Sequence, residues 1–411
     1  MSSVDQDVSK YRKYWNLAEG VTYLNHGSFG PTPLVVQEEL ARWTSLLASN
    51  PMNFYVRNLP DYLDEACQVL GDFVGTSGDN LVFADNATFA MNMVAASHYL
   101  KEGDEALFTD HEYGSVLRLW RQKCKEVGAS IVVRKLPNPL GSDEEIVETL
   151  FQAASKKTRL LVVSHVSSAT AVILPVEKIC QRAREMKIPV CIDGPHAPVQ
   201  VPLDIDKIGC TYYCASLHKW MSAPLGSGFL YVTPNQQQHM KPSIISWGRN
   251  MREDAPTWKD EYHWLGTRNP APALAVPSAI KFITETIGLD TFRDYTQGLV
   301  ASARQSYRLL TGLDYDLGLD PIPTHKPELA GQHRYGSMIT LPMPDFVPNP
   351  DAQTGLHPLR VFLWDRYQIE CLLPRWQDKL YLRISCHLYT SPADLDRLMT
   401  ALAEYFETLP R

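Results

Sequence analysis

Between residues 81 and 232 the sequence alternates short apolar runs with longer amphipathic segments, and this alternation limits the folds open to the chain. The apolar runs have the length of strands and cover residues 81–83, 106–108, 131–133, 160–163, 190–192, 212–215 and 228–232. Segments with helical spacing, such as 116–127 and 146–154, lie between them. Strands that are apolar on both faces and alternate with helices are typical of a mostly parallel sheet between helices. The sequence therefore predicts an α/β fold with a mostly parallel, seven-stranded sheet.

The pattern changes near residue 286. A long helical segment, two strand-like runs at 337–341 and 381–385, and a last helix follow. Ser391, Pro392 and Asp394 form the start signal of that helix, because Pro and an acid favour the first helical turn. We expect an N-terminal arm over residues 1–30 near the smaller domain, a large domain over 31–285, and a small C-terminal α+β domain over 286–411.

Composition excludes several classes of partner and site. The net charge of −7 argues against nucleic acid, whose phosphates select basic surfaces. The polar first residues do not resemble a signal peptide, and no apolar run is long enough for a membrane span. The twelve histidines show no metal-ligand spacing, and the eight cysteines are scattered without a Cys-x-x-Cys motif. We expect reduced thiols, a cytoplasmic location and no metal.

Two polar motifs follow neighbouring apolar runs. Lys219 lies in Ser-Leu-His-Lys-Trp just beyond the run 212–215, and Asp193 ends the run 190–192 in Asp-Gly-Pro-His. Lysines are mostly exposed and aspartates often cap helices, so each residue alone has an ordinary explanation. Ligands of α/β proteins, however, bind at the carboxyl ends of parallel strands. A lysine amine and an acid are the two groups that pyridoxal 5′-phosphate (PLP) chemistry needs.

The hypothesis of a PLP site requires further groups. For rapid imine exchange the pKa of Lys219 must fall from about 10.4 toward neutrality. His196 could hydrogen-bond the phenolate oxygen of the ring. Backbone N–H groups at the helix start near Asn86 and Ala87, with the Thr88 hydroxyl, could bind the phosphate. The sequence has neither a P-loop nor a dinucleotide-binding glycine fingerprint.

A set of motifs spread over nearly the whole chain supports this hypothesis. They are Leu-Asn-His-Gly-Ser-Phe-Gly-Pro at 24–31, Asn-Pro-Met-Asn-Phe at 50–54 with Arg57, Asp-Asn-Ala-Thr at 85–88, Asp-His-Glu-Tyr at 110–113, Ser-His-Val at 164–166, the motifs of Asp193 and Lys219, Gly-Thr-Arg at 266–268, and Leu-Arg-Ile-Ser at 382–385. Together they resemble the class V aminotransferase family of PLP fold type I. Within that family the chain is most similar to the isopenicillin N epimerase-like branch.

The resemblance implies roles for individual residues. Lys219 would join the cofactor and move protons at the substrate Cα, Asp193 would pair with the pyridinium, and Tyr113 would stack on the ring and assist catalysis. Thr267 would reach the phosphate of the neighbouring subunit, which implies a homodimer with shared sites. The implied cofactor-binding set is Ala87, Thr88, Tyr113, Ser168, Asp193, His196, Ser216, His218, Lys219 and Thr267.

For the substrate, the resemblance implies that Arg383 binds the α-carboxylate through a bidentate pair. Asn25, His26 and Arg57 are further candidates for substrate binding. Cysteine desulfurases of the family carry a reactive Cys on a loop shortly before this Arg. Here the segment around Cys371 is too short and apolar for such a loop, so persulfide transfer is not expected. Ser168 stands where related desulfurases place an Asn, as in epimerase-like members.

The expected enzyme removes the Cα proton of an amino acid or amino-acid-derived substrate. Return of a proton on the opposite face would give an epimerase or racemase, which is the leading hypothesis. Loss of a β-substituent would give a carbon–sulfur lyase, and protonation at the cofactor would give an aminotransferase. One scaffold supports all three reactions, so these alternatives remain open at the level of sequence.

Overall fold

The computed structural model describes residues 11–248, 257–318, 334–349 and 356–410. Its strands supply a central sheet and a smaller C-terminal sheet. In chain order the strands are β1 (Thr22–Tyr23), β2 (Leu81–Ala84), β3 (Glu105–Thr109), β4 (Ser130–Arg134), β5 (Thr158–Ser164), β6 (Val190–Asp193), β7 (Tyr212–Ser216), β8 (Gly228–Val232), β9 (Met338–Pro342), β10 (Ile369–Glu370), β11 (Arg375–Trp376) and β12 (Lys379–Ser385).

The central sheet has seven strands in the order β2-β8-β7-β6-β5-β3-β4. All seven predicted strands are present in it, so that prediction is confirmed. Only β8 runs antiparallel to its neighbours, β2 and β7, which leaves β2 parallel to the remaining strands. The carboxyl ends of β2, β3, β5, β6 and β7 therefore meet at one edge of the sheet.

Helices cover both faces of this sheet. The helices of the described ranges, including those of the C-terminal part, span Leu34–Ser49, Leu59–Val74, Ala87–Ser97, Gly114–Val127, Asp143–Phe151, Val176–Glu185, Ile205–Ile208, Pro234–Gln237, Asp260–His263, Ala271–Leu274, Val276–Lys281, Leu289–Thr311, Pro358–Tyr367 and Pro392–Glu407. Two wider helical turns, Asn53–Asn58 and Phe282–Ile287, and a tighter one at Gly78–Asn80 adjoin these.

Helix boundaries differ from the predictions by a few residues. The segment of helical spacing at 146–154 belongs to the helix Asp143–Phe151, whose start Ser142 caps by accepting a hydrogen bond from the Glu145 N–H. The last helix begins at Pro392 as predicted. Ser391 and Asp394 there form a reciprocal pair of side-chain-to-backbone hydrogen bonds.

The C-terminal part contains an antiparallel sheet in the order β11-β12-β9, next to the helices Leu289–Thr311 and Pro392–Glu407. Strand β1 pairs in parallel with β10, so the N-terminal segment lies on this part of the molecule. A large, mostly parallel sheet between helices with a smaller C-terminal α+β unit is the predicted architecture. Within the described ranges, no helix combines the length and apolar character needed to cross a membrane.

Candidate active site

A cavity of about 750 Å³ opens at the carboxyl edge of the central sheet. Its volume lies within the usual range for small-molecule and cofactor sites. Residues from widely separated positions in the chain line it. The polar members are Ser28, Asp85, Asn86, Thr88, Tyr113, Ser168, Asp193, His196, Ser216, His218, Lys219 and Arg383. The structure thus brings most of the predicted site residues together.

Lys219 extends into this cavity from the turn after β7. Its Nζ lies 3.0 Å from Nε2 of His196. Burial and the nearby Arg383 guanidinium lower the pKa of Lys219 to about 7, while the Asp193 carboxylate acts in the opposite direction. A lysine with this pKa is partly unprotonated at neutral pH, so it can act as a nucleophile and as a base.

Asp193 is the last residue of β6 and is buried. Burial raises its pKa above the usual range, and the Lys219 ammonium opposes that rise. A buried carboxylate is stabilised by a cationic partner, and a protonated pyridine nitrogen is one. His196, whose Nε2 faces Lys219, is a neutral ring because burial lowers its pKa, and its Nδ1 accepts a hydrogen bond from the Trp220 indole.

The opposite end of the cavity offers donors for a phosphate. The helix Ala87–Ser97 starts there, capped by the Asn86 side chain, which accepts from the Phe89 N–H. Ser216 Oγ lies 2.9 Å from the Ala87 backbone nitrogen, which ties this helix start to the end of β7. His218 Nδ1 is buried and has no partner among the described residues. The positive end of this helix, together with the Thr88 side chain on the cavity wall, would favour an anion there.

Arg383 of β12 lies on the cavity wall and is almost fully buried. Its Nη1 donates to the Ser168 carbonyl oxygen at 2.7 Å, and its Nη2 donates to Ser28 Oγ at 2.8 Å and to Asn25 Oδ1 at 3.1 Å. Its Nε has no partner within the described ranges. A buried guanidinium held only by neutral groups favours an incoming anion, such as the α-carboxylate of an amino acid.

Other predicted residues occupy different surroundings. Tyr113 lies on the cavity wall and is half exposed. His26 does not line the cavity. It is fully buried, and both its ring nitrogens make hydrogen bonds to protein groups. Arg57 and Thr267 are exposed and lie outside the wall of this cavity. Their predicted roles, in substrate binding and at the neighbouring subunit, stay predictions.

Sequence reasoning assigned no role to Ser28, although it binds Arg383 across 355 residues of chain. Glu112 was also missed. It is buried just after β3, accepts hydrogen bonds from Thr109 and Ser164, and burial raises its pKa to about 8. Both residues belong to motifs that the sequence analysis identified, yet only the fold shows which groups they contact.

All eight cysteines are free and buried. Cys371, which directly follows β10, has its pKa raised to about 12 by burial. Persulfide transfer requires a thiolate that can reach substrate, and burial disfavours that form. The buried position of Cys371 directly after β10 agrees with the expectation that this residue is not presented on a reactive loop.

The residues of the cavity fit PLP. A buried carboxyl, an amine with a lowered pKa and a helix start on the cavity wall match its pyridine nitrogen, aldehyde and phosphate. The sequence model described as Aminotransferase class-V matches residues 32–316. The chain belongs to the class V aminotransferase family. It is therefore a PLP-dependent enzyme of fold type I, as the motifs predicted.

Individual relatives are consistent with this family. The chain is 35% identical to isopenicillin N epimerase of Amycolatopsis lactamdurans over 408 residues, which cover 96% of this chain and 97% of that protein. It is 29% identical to L-cysteine desulfhydrase of Arabidopsis thaliana over 66% of this chain and 62% of that protein. The cysteine desulfurase CsdA from Escherichia coli superposes with a TM-score of 0.78 at 20% identity, covering 98% of this chain and 99% of that one, which shows the shared fold.

The lowered pKa of Lys219 predicts how fast PLP attaches to the apoprotein at different pH values. Only the neutral amine attacks an aldehyde, so the rate rises with pH until Lys219 is deprotonated. We expect the rise to level off near pH 7, where the pKa of Lys219 lies. A lysine of ordinary pKa would keep gaining rate up to about pH 10. Stopped-flow absorbance measures the profile, and a continued rise beyond pH 9 contradicts the prediction.

Proposed function

We propose that this enzyme is an epimerase or racemase acting at the Cα of an amino acid or amino-acid-derived substrate. One observation carries the proposal. Lys219 follows β7, on one side of the Asp193 strand β6, whereas Tyr113 follows β3, two strands away on the other side. Both side chains line the same cavity. Inversion at a carbon needs one group to remove a proton and a second group to return one on the opposite face.

The roles of the chain's own residues follow from their positions. When bound, PLP supplies a protonated aromatic ring that withdraws electrons from the substrate Cα. Asp193 keeps that ring nitrogen protonated, because a buried carboxylate favours a cation beside it. Arg383 orients the substrate through its carboxylate. Lys219 Nζ takes the Cα proton, and the Tyr113 hydroxyl donates one from the other side of the cavity.

The similarity to an isopenicillin N epimerase over nearly the full length of both chains supports this proposal. A carbon–sulfur lyase is the second candidate, because L-cysteine desulfhydrases are also among the relatives. The cavity wall also includes Val116, Val166 and Leu372, which offer apolar surface to a substrate side chain in either reaction.

We further propose a homodimer whose sites are shared between subunits. Thr267 and Arg57 are exposed outside the cavity of their own chain, where they are available to a second copy. The apolar side chains of Phe29 and Leu225 stand at the cavity and are also largely exposed. Burial of such a surface by a partner subunit would stabilise the dimer. The cytoplasmic location stays a prediction from the sequence.

The decisive experiment is incubation of the holoenzyme with a panel of L-amino acids and cysteine conjugates in deuterated water. We expect deuterium at Cα together with the opposite enantiomer, measured by NMR and chiral chromatography. Release of pyruvate and ammonia would establish the lyase instead. Conversion of the cofactor to pyridoxamine phosphate would establish the aminotransferase.

Substitution of Tyr113 by phenylalanine tests the second proton donor. We expect the rate of enantiomer formation to fall about 10²-fold, as for loss of a general acid. Exchange of the Cα proton with retained configuration continues, because Lys219 is unchanged. Tyr99→Phe, at an exposed tyrosine outside the cavity, is the control. If the Tyr113 variant lost Cα–H exchange and inversion equally, the hydroxyl would not be the group that returns the proton on the face opposite Lys219.

Substitution of Arg383 by lysine tests the carboxylate site. An ammonium keeps the charge but cannot make the planar two-point contact, so we expect KM to rise about 30-fold, a loss of ~2 kcal/mol. The matched control is Arg366→Lys, at an exposed arginine paired with Glu404. Steady-state kinetics with the most active substrate of the panel measures both. An unchanged KM would place the substrate carboxylate elsewhere.

A further inference from the structure

His26 is fully buried, and both nitrogens of its ring are occupied. Nδ1 lies 2.7 Å from the Tyr389 hydroxyl, and Nε2 lies 3.0 Å from the backbone carbonyl oxygen of Lys219. Burial lowers the pKa of His26 to about 3, so the ring is neutral. A carbonyl oxygen can only accept, so the proton is on Nε2 and Nδ1 accepts from Tyr389. The two partners thus fix one tautomer.

Aromatic neighbours also fix the orientation of the ring. His387 stacks on His26 with a centroid distance of 3.9 Å and an interplanar angle of 15°. The Trp220 ring lies 5.2 Å away in a tilted orientation. A ring packed in this way cannot turn without displacing its neighbours. The N–H of Nε2 therefore points at one place, the carbonyl oxygen of Lys219.

His26 belongs to the N-terminal segment 25–30, and this segment also holds the peptide group before Lys219. The Gly30 N–H donates to the His218 carbonyl oxygen at 3.0 Å. A Cβ at Gly30 would lie 2.6 Å from the Lys219 carbonyl oxygen and 2.8 Å from that of His218, so only glycine allows this approach. The backbone carbonyls on both sides of the Lys219 Cα are therefore held from the N-terminal segment.

That segment also holds the carboxylate site, since Asn25 and Ser28 bind the Arg383 guanidinium. Residues 25–30 thus include groups that bind Arg383 and groups that hold the backbone on both sides of Lys219. We propose that His26 is a positioning residue, which fixes the backbone of Lys219 through its Nε2 proton and so sets where the amine stands relative to Arg383. This role depends on PLP attachment at Lys219 and not on whether epimerisation or elimination follows.

Two substitutions separate the donor from the acceptor of the His26 ring. The terminal amide of glutamine reaches about as far as Nε2, so His26→Gln keeps a donor for the Lys219 carbonyl. The shorter His26→Asn keeps a group near Nδ1 but loses that donor. We expect the His26→Asn apoprotein to attach PLP about tenfold more slowly than the unmodified chain, as for one lost buried hydrogen bond. His26→Gln restores most of this rate.

The rate is measured as the growth of visible absorbance after PLP is mixed with apoprotein, which requires no knowledge of the substrate. Hydrogen exchange of the peptide covering residues 217–223 is the second measurement, with faster exchange expected in His26→Asn. Tyr99→Phe is the control, because Tyr99 is exposed and lies outside both the cavity and the N-terminal segment. We expect unchanged values for this control.

Two results would overturn the proposal. Attachment by His26→Asn at the unmodified rate would show that the donor to Lys219 is unimportant. Equal slowing in His26→Asn and His26→Gln would show that His26 only fills space. If His26→Asn does not fold, Tyr389→Phe takes its place, since it removes the hydroxyl that fixes the tautomer. Unchanged attachment and exchange in Tyr389→Phe would then refute the role. Failure of the epimerase assignment affects none of these measurements.

Discussion

Replacement of Lys219 by alanine is expected to lower turnover by at least about 10⁴-fold, because one change removes both the proposed attachment point of PLP and the proposed base at Cα. The lysine is the only amine among the residues that line the cavity in the described part of the chain. The variant also loses the visible absorbance that borohydride reduction fixes on the protein. Steady-state assays and mass spectrometry of the reduced protein measure these two effects.

The matched control for this variant is Lys207→Ala, since Lys207 is exposed and pairs only with Glu177 on the surface. We expect its rate and absorbance to equal those of the unmodified enzyme. Near-normal turnover in the Lys219 variant would contradict the entire assignment of the site. Loss of folding can be distinguished from loss of chemistry by the thermal unfolding of both variants.

Replacement of Asp193 by asparagine is expected to lower turnover about 10³-fold without preventing PLP attachment. A carboxylate about 4 Å from a pyridinium contributes ~4 kcal/mol at an effective dielectric constant of 20, which corresponds to this factor. Asparagine has nearly the same shape but no charge. It therefore no longer stabilises the protonated form of the ring nitrogen. Visible absorbance is retained because Lys219 is unchanged, and this separates the two variants.

The pKa of Asp193 adds a prediction about stability. Burial raises this pKa above that of the unfolded chain, so the unfolded state releases its proton at lower pH than the folded state. The contribution of Asp193 to folding stability therefore decreases as pH rises through the interval between the two values. At pH 7 the Asp193→Asn apoprotein should unfold at a temperature equal to or above that of the unmodified apoprotein.

Differential scanning calorimetry of the apoproteins tests this stability prediction. Asp72→Asn serves as the control, because Asp72 is exposed on the helix Leu59–Val74. A large decrease in unfolding temperature for Asp193→Asn alone would show that the carboxylate stabilises the apo fold. For the turnover prediction, an unchanged turnover number of Asp193→Asn would show that a group other than Asp193 keeps the ring nitrogen protonated.

The position of the site follows from a general property of this architecture. Parallel strands end at a common edge, and the polar residues that follow β3, β5, β6 and β7 therefore converge. Lys219 and Asp193 meet there because β7 and β6 are neighbours, with Asp193 paired in register with Cys214. Their mutual effect on each other's pKa follows from this adjacency.

The N-terminal segment illustrates a different kind of constraint. It is joined to the C-terminal part by the pairing of β1 with β10 and by the bridge between Asn25 and Ser385. This placement brings Asn25 and Ser28 to Arg383 and brings His26 to Lys219. A displacement of the arm would therefore disturb the carboxylate site and the lysine together.

The amino-acid sequence by itself determined the seven strands of the central sheet and the positions of Lys219 and Asp193 at strand ends. These features depend on local properties, since apolar runs of strand length between helical segments can be identified without knowing what they contact. The family motifs added the cofactor and the roles expected of Thr88, Ser216 and Arg383.

Only the tertiary structure decided the partners of Arg383 and the place of His26. Asn25 and Ser28 from the N-terminal segment and Ser168 from the middle of the chain converge on one guanidinium. The sequence analysis expected His26 in the pocket, and the fold instead places it behind the lysine. Such contacts depend on which strands pair and on how the N-terminal segment crosses the molecule, and these long-range pairings have no local signal in the sequence.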